Sequence, residues 1–125
     1  MSDVSLGRIG QIAIAAKDVA RATAFYRDVL GMKFLFEFPG LAFFDAGGVR
    51  LMLSRAEDPR FDHPASILYY KVDDIVGTHA TLESRGVIVE EKPHMIAQMP
   101  DHDLWIGSYQ DSEGNVFALM SEVAR

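Results

Sequence analysis

The sequence predicts an α+β fold in which two tandem βαβββ modules form a cupped mixed sheet with helices on its outer face. Two observations support this prediction. An apolar run, an aspartate and a helical pattern occur in that order at Ile12–Ala16 and again at Leu68–Val72. In both halves a series of short apolar segments separated by turn residues follows the helical pattern. Because 125 residues is an ordinary length for one domain, we expect a single domain.

The first module is expected to span about residues 8–54. Asp18 is well placed as a helix N-cap, because its side chain can accept hydrogen bonds from the free backbone N–H groups of the first turn. The helix is expected to end at Gly31, where glycine can adopt the left-handed conformation that stops a helix. Turn residues then separate three predicted strands, which are Met32–Phe38, Leu41–Phe44 and Val49–Ser54.

A polar linker, residues 55–64, leads to the second module, which is expected to span about residues 65–121. Asp74 and Gly86 repeat the positions of the first N-cap and the first helix end. The later strands predicted here are Val87–Lys92, Leu104–Gln110 and Asn115–Ser121. An insertion that the first module lacks, Pro93–Trp105, falls between the first two of these strands.

A βαβββ module covers one face of its sheet with its helix and leaves the other face bare. Two modules set side by side can share their bare faces and enclose a cup, where we expect a small molecule to bind. The alternative is that the duplication only builds a stable sheet and that no pocket is used.

Composition excludes several classes of function. The formal net charge of −6 offers no electrostatic footprint for nucleic acid. No apolar stretch approaches the length of a membrane span, and the first residues lack the pattern of a secretory signal. Because cysteine is absent, disulfides and thiolate chemistry are excluded. We therefore expect a cytoplasmic protein whose partners are a small molecule and a second copy of the chain, with no nucleic acid and no membrane.

The insertion Pro93–Trp105 has three possible interpretations. It can be a hydrogen-bonded loop whose apolar residues anchor it to the core or to a dimer partner. It can be a lid that covers the cup and stacks Trp105 on an aromatic ligand. It can also place His94 and His102 beside aspartates as an acid/base pair or a displaced metal site.

The ordered motifs resemble those of the vicinal oxygen chelate superfamily, which includes glyoxalase I, extradiol dioxygenases and bleomycin-binding proteins. The resemblance covers about residues 8–121. It rests on three segments: QIAIAAKDVARATAFYRDVLGMKF, its echo ILYYKVDDIVGTHATLESRGV, and the closing turn and strand QDSEGNVFALMS. The resemblance implies the duplicated fold. It does not choose among isomerases, lyases, dioxygenases, transferases and binders, because one fold serves many functions.

The resemblance also implies where a divalent metal would be held. Members with a metal use a histidine that opens the first strand and a glutamate in the last strand of each module. Counted from the capping aspartates and the turn glycines, these positions fall on Gln11, Met52, Ile67 and Ala118. Magnesium and manganese prefer carboxylate oxygens, while zinc and iron prefer imidazole with carboxylate. One amide oxygen cannot replace such a set, so we expect no metal at this place and no cofactor.

Strand alternation indicates which other side chains share the face that holds these four positions. The lining expected from this alternation is apolar, with a few polar contacts, and it suits a ligand with an apolar or aromatic body and an anionic or carbonyl group. With the two insertion residues, the candidate ligand-binding residues are Gln11, Arg50, Met52, Ile67, Tyr69, Lys71, His102, Trp105, Ala118 and Met120.

Three functions are compatible with these residues. The sequence favours metal-independent binding or sequestration of a small molecule in the cup, as in the bleomycin-resistance branch. The alternative is a glyoxalase- or dioxygenase-type lyase or oxidoreductase with a displaced or absent metal, which would use Arg50, Lys71 and His102. The third is a structural or interaction module whose cup is filled by side chains or by a partner chain. No catalytic residue can be assigned from the sequence.

Overall fold

The computed structural model describes residues 4–125, and within this range the chain forms two four-stranded sheets. The helices are α1, Val19–Ala24, which continues as a π-helical turn over Phe25–Val29, and α2, Ile75–Ser84; a short 3₁₀ turn covers Pro59–Phe61. The strands are β1 Gln11–Ala15, β2 Lys33–Phe38, β3 Leu41–Ala46, β4 Val49–Ser54, β5 Leu68–Lys71, β6 Ile88–Gln98, β7 His102–Gln110 and β8 Val116–Ala124.

The two sheets have the same topology, which confirms the predicted tandem βαβββ fold. The first has the order β1-β4-β3-β2 and the second the order β5-β8-β7-β6. In each, the first strand pairs in parallel with the last strand of its module, and the other neighbouring strands are antiparallel. All the strands of each sheet therefore come from one module.

The ends of both helices follow the predicted signals. The Asp18 carboxylate accepts the Arg21 backbone N–H at 3.0 Å, and the Asp74 carboxylate accepts that of Gly77 at 3.0 Å. Gly31 and Gly86 have φ values of +70° and +82°, the left-handed region that favours glycine after a helix. In each module the aspartate therefore sets where the helix begins, and the glycine sets where it ends.

Each module packs an apolar core between its helix and its sheet. In the first, the largest fully buried side chains include Tyr26, Phe44 and Leu51. In the second, Tyr109 and Phe117 stack with ring centroids 5.5 Å apart and pack against α2. Phe25 and Leu30, at the end of the first helix, contact both cores and so join the modules. Within residues 4–125 no helix is both long and apolar enough to span a membrane.

Polar contacts at the turn between β7 and β8 also join the modules. The Tyr26 hydroxyl donates to the buried Asp111 carboxylate at 2.6 Å. The same carboxylate accepts the backbone N–H groups of Glu113 and Asn115, at 2.8 and 2.9 Å. Glu113 accepts the Lys17 backbone N–H at 2.6 Å. A buried charge is stable only when its hydrogen bonds are made, so this turn and the first helix fix each other's position.

The predicted insertion loop is wrong, because the structure continues both strands through most of it. β6 runs to Gln98 and β7 begins at His102, so only a tight turn remains, in which the Met99 N–H donates to the His102 carbonyl at 2.8 Å. The predicted strand ended at Lys92, directly before Pro93. β6 is an edge strand, and Pro93 lies at the register shift between Glu91 and His94. Because no pair of the ladder is formed there, the missing N–H of proline removes no hydrogen bond between the strands.

Candidate functional site

The side of the first sheet opposite α1 is called the first face here. Directly paired residues on neighbouring strands point to the same side of a sheet. The pairing places Ala13, Met52, Phe43 and Phe36 in one row across the four strands. A second row, nearer the end of β4, contains Ala15, Ser54, Leu41 and Phe38.

The structure brings together the three first-module residues that the sequence predicted for the site. Gln11 pairs with Arg50 across β1 and β4, and Met52 is two residues further along β4. The Gln11 side-chain amide donates to the Met52 sulfur at 3.7 Å. These side chains therefore form one patch of the first face.

Three phenylalanines on the first face were missed by the sequence analysis. Phe36 stacks on Phe43, with ring centroids 4.6 Å apart, and Phe38 contacts both edge-on at 5.6 and 6.2 Å. Phe36 is 39% exposed and Phe38 is 57% exposed. The Arg50 guanidinium lies 5.9 Å from the Phe36 ring centroid and 5.8 Å from that of Phe43. Strand alternation in β3 would have found Phe43. It would not have found the face of Phe36, because a register shift between Phe34 and Phe36 puts Phe34 in the core and Phe36 on the first face.

A cleft of about 1180 Å³ adjoins this patch, between the first sheet and the linker. Its floor is made of small or flexible side chains, including Ala13, Ala15 and Met52. The linker supplies the opposite wall, with Phe61 and His63 among its residues. Among residues 4–125, none that lines this cleft belongs to a strand of the second sheet. The sequence interpretation treated the linker only as a connection, whereas here it forms one side of a cavity.

The side of the second sheet opposite α2 is called the second face here. Tyr69 pairs with Ala118, and Lys71 pairs with Met120, so these four predicted residues share it. Tyr69 is exposed, whereas Ala118 is only 1% exposed. Ile67 precedes β5, which begins at Leu68, and is exposed.

The second face is more polar than the first and carries a connected charged group. Lys71 Nζ lies 3.2 Å from Glu122 Oε1, and the other oxygen of Glu122 lies 3.8 Å from His102 Nε2. His102 Nδ1 is 2.7 Å from the Asp101 carboxylate, and this hydrogen bond lowers the pKa of Asp101 below its ordinary value. His102, a candidate from the insertion, thus lies on the second face, and the sequence analysis did not single out Glu122.

Trp105 lies on the opposite side of the second sheet from these residues, so its predicted place over the cup is wrong. It pairs with Ser121, which is buried, and packs against the core between this sheet and α2. The preceding residue, Leu104, pairs with Glu122 and lies on the same side of the sheet as His102. Trp105 lies within the predicted strand Leu104–Gln110, but it was assigned to the insertion, and strand alternation was not used to predict its face.

The residues at the implied metal positions do not fit a divalent cation. Gln11 and Met52 are neighbours in the first sheet, and their side chains bond each other. Ala118 and Ile67 have no donor side chains. A thioether is too soft for the metals that these positions usually hold, and one amide oxygen does not form a site. Within the described part of the chain, no three His, Cys, Asp or Glu side chains are grouped so as to hold a metal ion.

A family model matches residues 8–119, and its description is Glyoxalase/Bleomycin resistance protein/Dioxygenase superfamily. No match was found among curated proteins.

Several solved structures are similar in fold. A lactoylglutathione lyase from Agrobacterium tumefaciens is 24% identical, with a TM-score of 0.70, and the match covers 93% of this chain and 94% of that one. TnmS3, an antibiotic binding protein from Streptomyces sp. CB03234, is 23% identical, with a TM-score of 0.75 and coverage of 96% and 99%. A glyoxalase/bleomycin resistance protein/dioxygenase from Alicyclobacillus acidocaldarius is 17% identical, with a TM-score of 0.72 and coverage of 92% and 91%. At these identities the likeness establishes the fold alone.

Proposed function

Because the chain belongs to the glyoxalase/bleomycin resistance protein/dioxygenase superfamily, we propose that it binds or sequesters a small molecule without a metal. In this proposal the chain is one ligand-binding domain of two modules, working in the cytoplasm. The main support for the proposal is the chemistry of the four side chains at the implied metal positions. The positions expected to hold a cation contain Gln11, Met52, Ile67 and Ala118, which lack both imidazole and carboxylate.

The surface around these positions supports a binding role. The first face combines exposed aromatic rings with a cleft whose floor is apolar. Ligand sites are concave, mostly apolar and supplied with a few polar groups that fix orientation. In this proposal Arg50 and Gln11 supply such groups from the first face, and Lys71 supplies one from the second face. The ligand therefore has an apolar or aromatic body and an anionic or carbonyl group.

A homodimer is part of the same proposal. The first and second faces belong to separate sheets, and both carry exposed apolar side chains, among them Phe38, Ile67 and Tyr69. A second copy that sets its second face against the first face of its partner would cover these side chains. It would also place the second-face residues of one copy opposite the phenylalanines of the first face of the other. These second-face residues are Tyr69, Lys71, Met120 and His102. Exposed apolar patches on a single chain are typical of association surfaces.

The second candidate function is an enzyme of the glyoxalase type that works without a metal at the usual position. The observation that favours it is the contact of His102 with Glu122 and Asp101, which gives a titratable side chain two carboxylate neighbours. Activity toward the hemithioacetal of methylglyoxal and glutathione, lost in the His102→Gln variant, would replace the binding proposal with this one.

The binding proposal is tested by metal analysis together with ligand screening. The protein purified without chelators should contain far less than one equivalent of Ni, Zn, Fe or Mn after dialysis. A panel of aromatic and aliphatic carboxylates, amines and ketones is then screened by ligand-observed NMR, with and without a chelator. We expect binding of aromatic members that the chelator does not change. A stoichiometric metal, or binding abolished by the chelator, would overturn the proposal.

A further inference from the structure

We propose that Phe36 and Arg50, with Phe43 stacked behind Phe36, form a subsite for an aromatic anion. The ring of the ligand would stack on Phe36, and its carboxylate or sulfonate would bind the guanidinium. This inference rests on the proposed function and goes beyond it, because it assigns the anion to one residue of one sheet. It requires no residue of the second sheet.

The geometry of the aromatic pair sets the shape of the ligand. The Phe36 and Phe43 rings are tilted by 29° and their centroids are 4.6 Å apart, so they stack face to face. Phe43 is only 7% exposed, so Phe36, which is 39% exposed, supplies the flat surface that a ligand can reach. Phe38 meets both rings edge-on and borders this surface on one side. Aromatic rings prefer offset stacking or edge contacts with other rings, so a planar ring system fits this surface better than a bulky aliphatic group.

Arg50 sets the charge of the ligand. Its guanidinium lies near both rings, at 5.9 and 5.8 Å from their centroids. Within residues 4–125 no carboxylate lies within ion-pair distance of it. Its cross-strand neighbour Asp45 is directed to the following turn, where its carboxylate accepts the Gly48 N–H at 2.9 Å. The planar fork of arginine therefore remains available to bind a carboxylate in bidentate fashion.

Comparison with other cations supports the choice of Arg50. Lys71, on the second face, is paired with Glu122 at 3.2 Å. Arg27 lies 6.0 Å from the Phe34 ring centroid, but it is paired with Asp28 at 3.0 Å. Arg60 lies over Phe61 and is paired with Asp58 at 2.8 Å. Of these four cations, Arg50 is the one that has no acidic partner among the described residues. Lys33 and Arg55, the second of which lines the cleft, form no ion pair there either, but neither lies over an aromatic ring.

The test compares 2-naphthoate with the neutral 2-naphthalenemethanol, titrated into the full chain and followed by naphthalene fluorescence. We expect the wild-type protein to bind naphthoate about tenfold more tightly than the alcohol. Arg50→Gln should remove this preference while leaving alcohol binding nearly unchanged. Phe36→Leu should weaken both ligands. Arg27→Gln, which removes an arginine over a phenylalanine outside the faces, is the matched control and should retain the preference.

Arg50→Lys keeps the charge and replaces the fork with a point charge, so it should retain part of the preference even if the glutamine variant folds poorly. Circular dichroism and thermal unfolding establish that each variant is folded. An unchanged preference in folded Arg50→Gln would overturn the subsite. So would a wild-type protein that binds other panel members but not naphthoate, and in both cases the proposed function would still stand. Failure of the whole panel would overturn the proposed function itself.

Discussion

The hydroxyl of Tyr26 and the carboxylate of Asp111 are 2.6 Å apart, although 85 positions separate them in the chain. Tyr26 comes from the π-helical turn after α1, and Asp111 begins the turn between β7 and β8. Both residues are buried, and Asp111 fills its remaining acceptor positions with N–H groups of its own turn. This bond is therefore a fixed point between the two modules. Burial and the nearby Asp111 charge raise the pKa of Tyr26 and keep it a donor.

Tyr26→Phe should lower the free energy of unfolding by about 1–3 kcal/mol, because the buried Asp111 carboxylate loses a strong donor. Urea unfolding of both proteins at pH 7 measures the difference. Tyr70→Phe is the matched control. The Tyr70 hydroxyl is buried and makes no hydrogen bond within residues 4–125, so its removal should be neutral or slightly stabilising. Equal losses in the two variants would contradict this assignment.

Stability should fall as the pH rises from about 10 to about 12. Burial, reinforced by the Asp111 charge, raises the pKa of Tyr70 to about 12, from the ordinary value of 10.0. Between these values the unfolded chain has released the phenolic proton and the native chain has kept it. The unfolded state is therefore favoured by increasing pH, and the contribution of Tyr70 is fully present only below pH 10.

Urea unfolding at several pH values between 9 and 12 measures this dependence. The Tyr70→Phe variant should lose less stability over the interval, by on the order of 1–2 kcal/mol. Lysines and other tyrosines titrate in the same interval, so the comparison is made between the two proteins and not between pH values alone. Identical slopes for both proteins would show that Tyr70 does not contribute.

Gly107→Ala should destabilise the second module by about 1–3 kcal/mol. A Cβ at this buried position would lie 2.8 Å from the Tyr109 hydroxyl and 3.2 Å from the Pro93 ring. The Tyr109 ring cannot move away easily, because it is fully buried and its hydroxyl lies 3.0 Å from His79 Nδ1. Thermal unfolding should give a lower Tm. Gly7→Ala, at an exposed position with no atom near the added methyl group, should leave the Tm unchanged.

Arg125→Gln should loosen the turn between β6 and β7 without a large change in global stability. The guanidinium donates to the carbonyls of Met99 and Pro100 and lies 2.5 Å from the Asp103 carboxylate. Backbone amides from Met99 to Asp103 should exchange with deuterium faster in the variant. Arg60→Gln, whose partner Asp58 is in the linker, serves as the control. Unchanged exchange at the turn would contradict the role given to Arg125.

The local signals of the sequence were sufficient for the fold. Asp18 and Asp74 cap their helices, and Gly31 and Gly86 follow them with positive φ. These features act within a few residues, so the sequence specifies them directly. The repeat then specified the two sheets, because each βαβββ module pairs strands only within itself.

The candidate site was predicted only in part. Its residues come from several strands and share one side of a sheet, so predicting them requires knowing which way each side chain points. Met52 was located from the family resemblance, and Arg50 was then found by alternation along β4. The same rule applied to β3 would have found Phe43, but the register shift in β2 hides the face of Phe36. Trp105 was misplaced because it was assigned to the insertion that begins at Pro93, whereas β6 continues through this proline. Whether a proline lies at an edge strand depends on the order of strands in the sheet, which is a tertiary property.

The contacts between Tyr26 and Asp111 lie on the helix side of the sheets and at a turn, away from the side chains of both faces. The residues that stabilise the contact between the two modules are therefore different from the residues that would select a ligand. Substitutions can alter the rings or charges of a face without weakening the bond that holds the halves together. A scaffold organised this way can acquire a new ligand through a few substitutions on its faces.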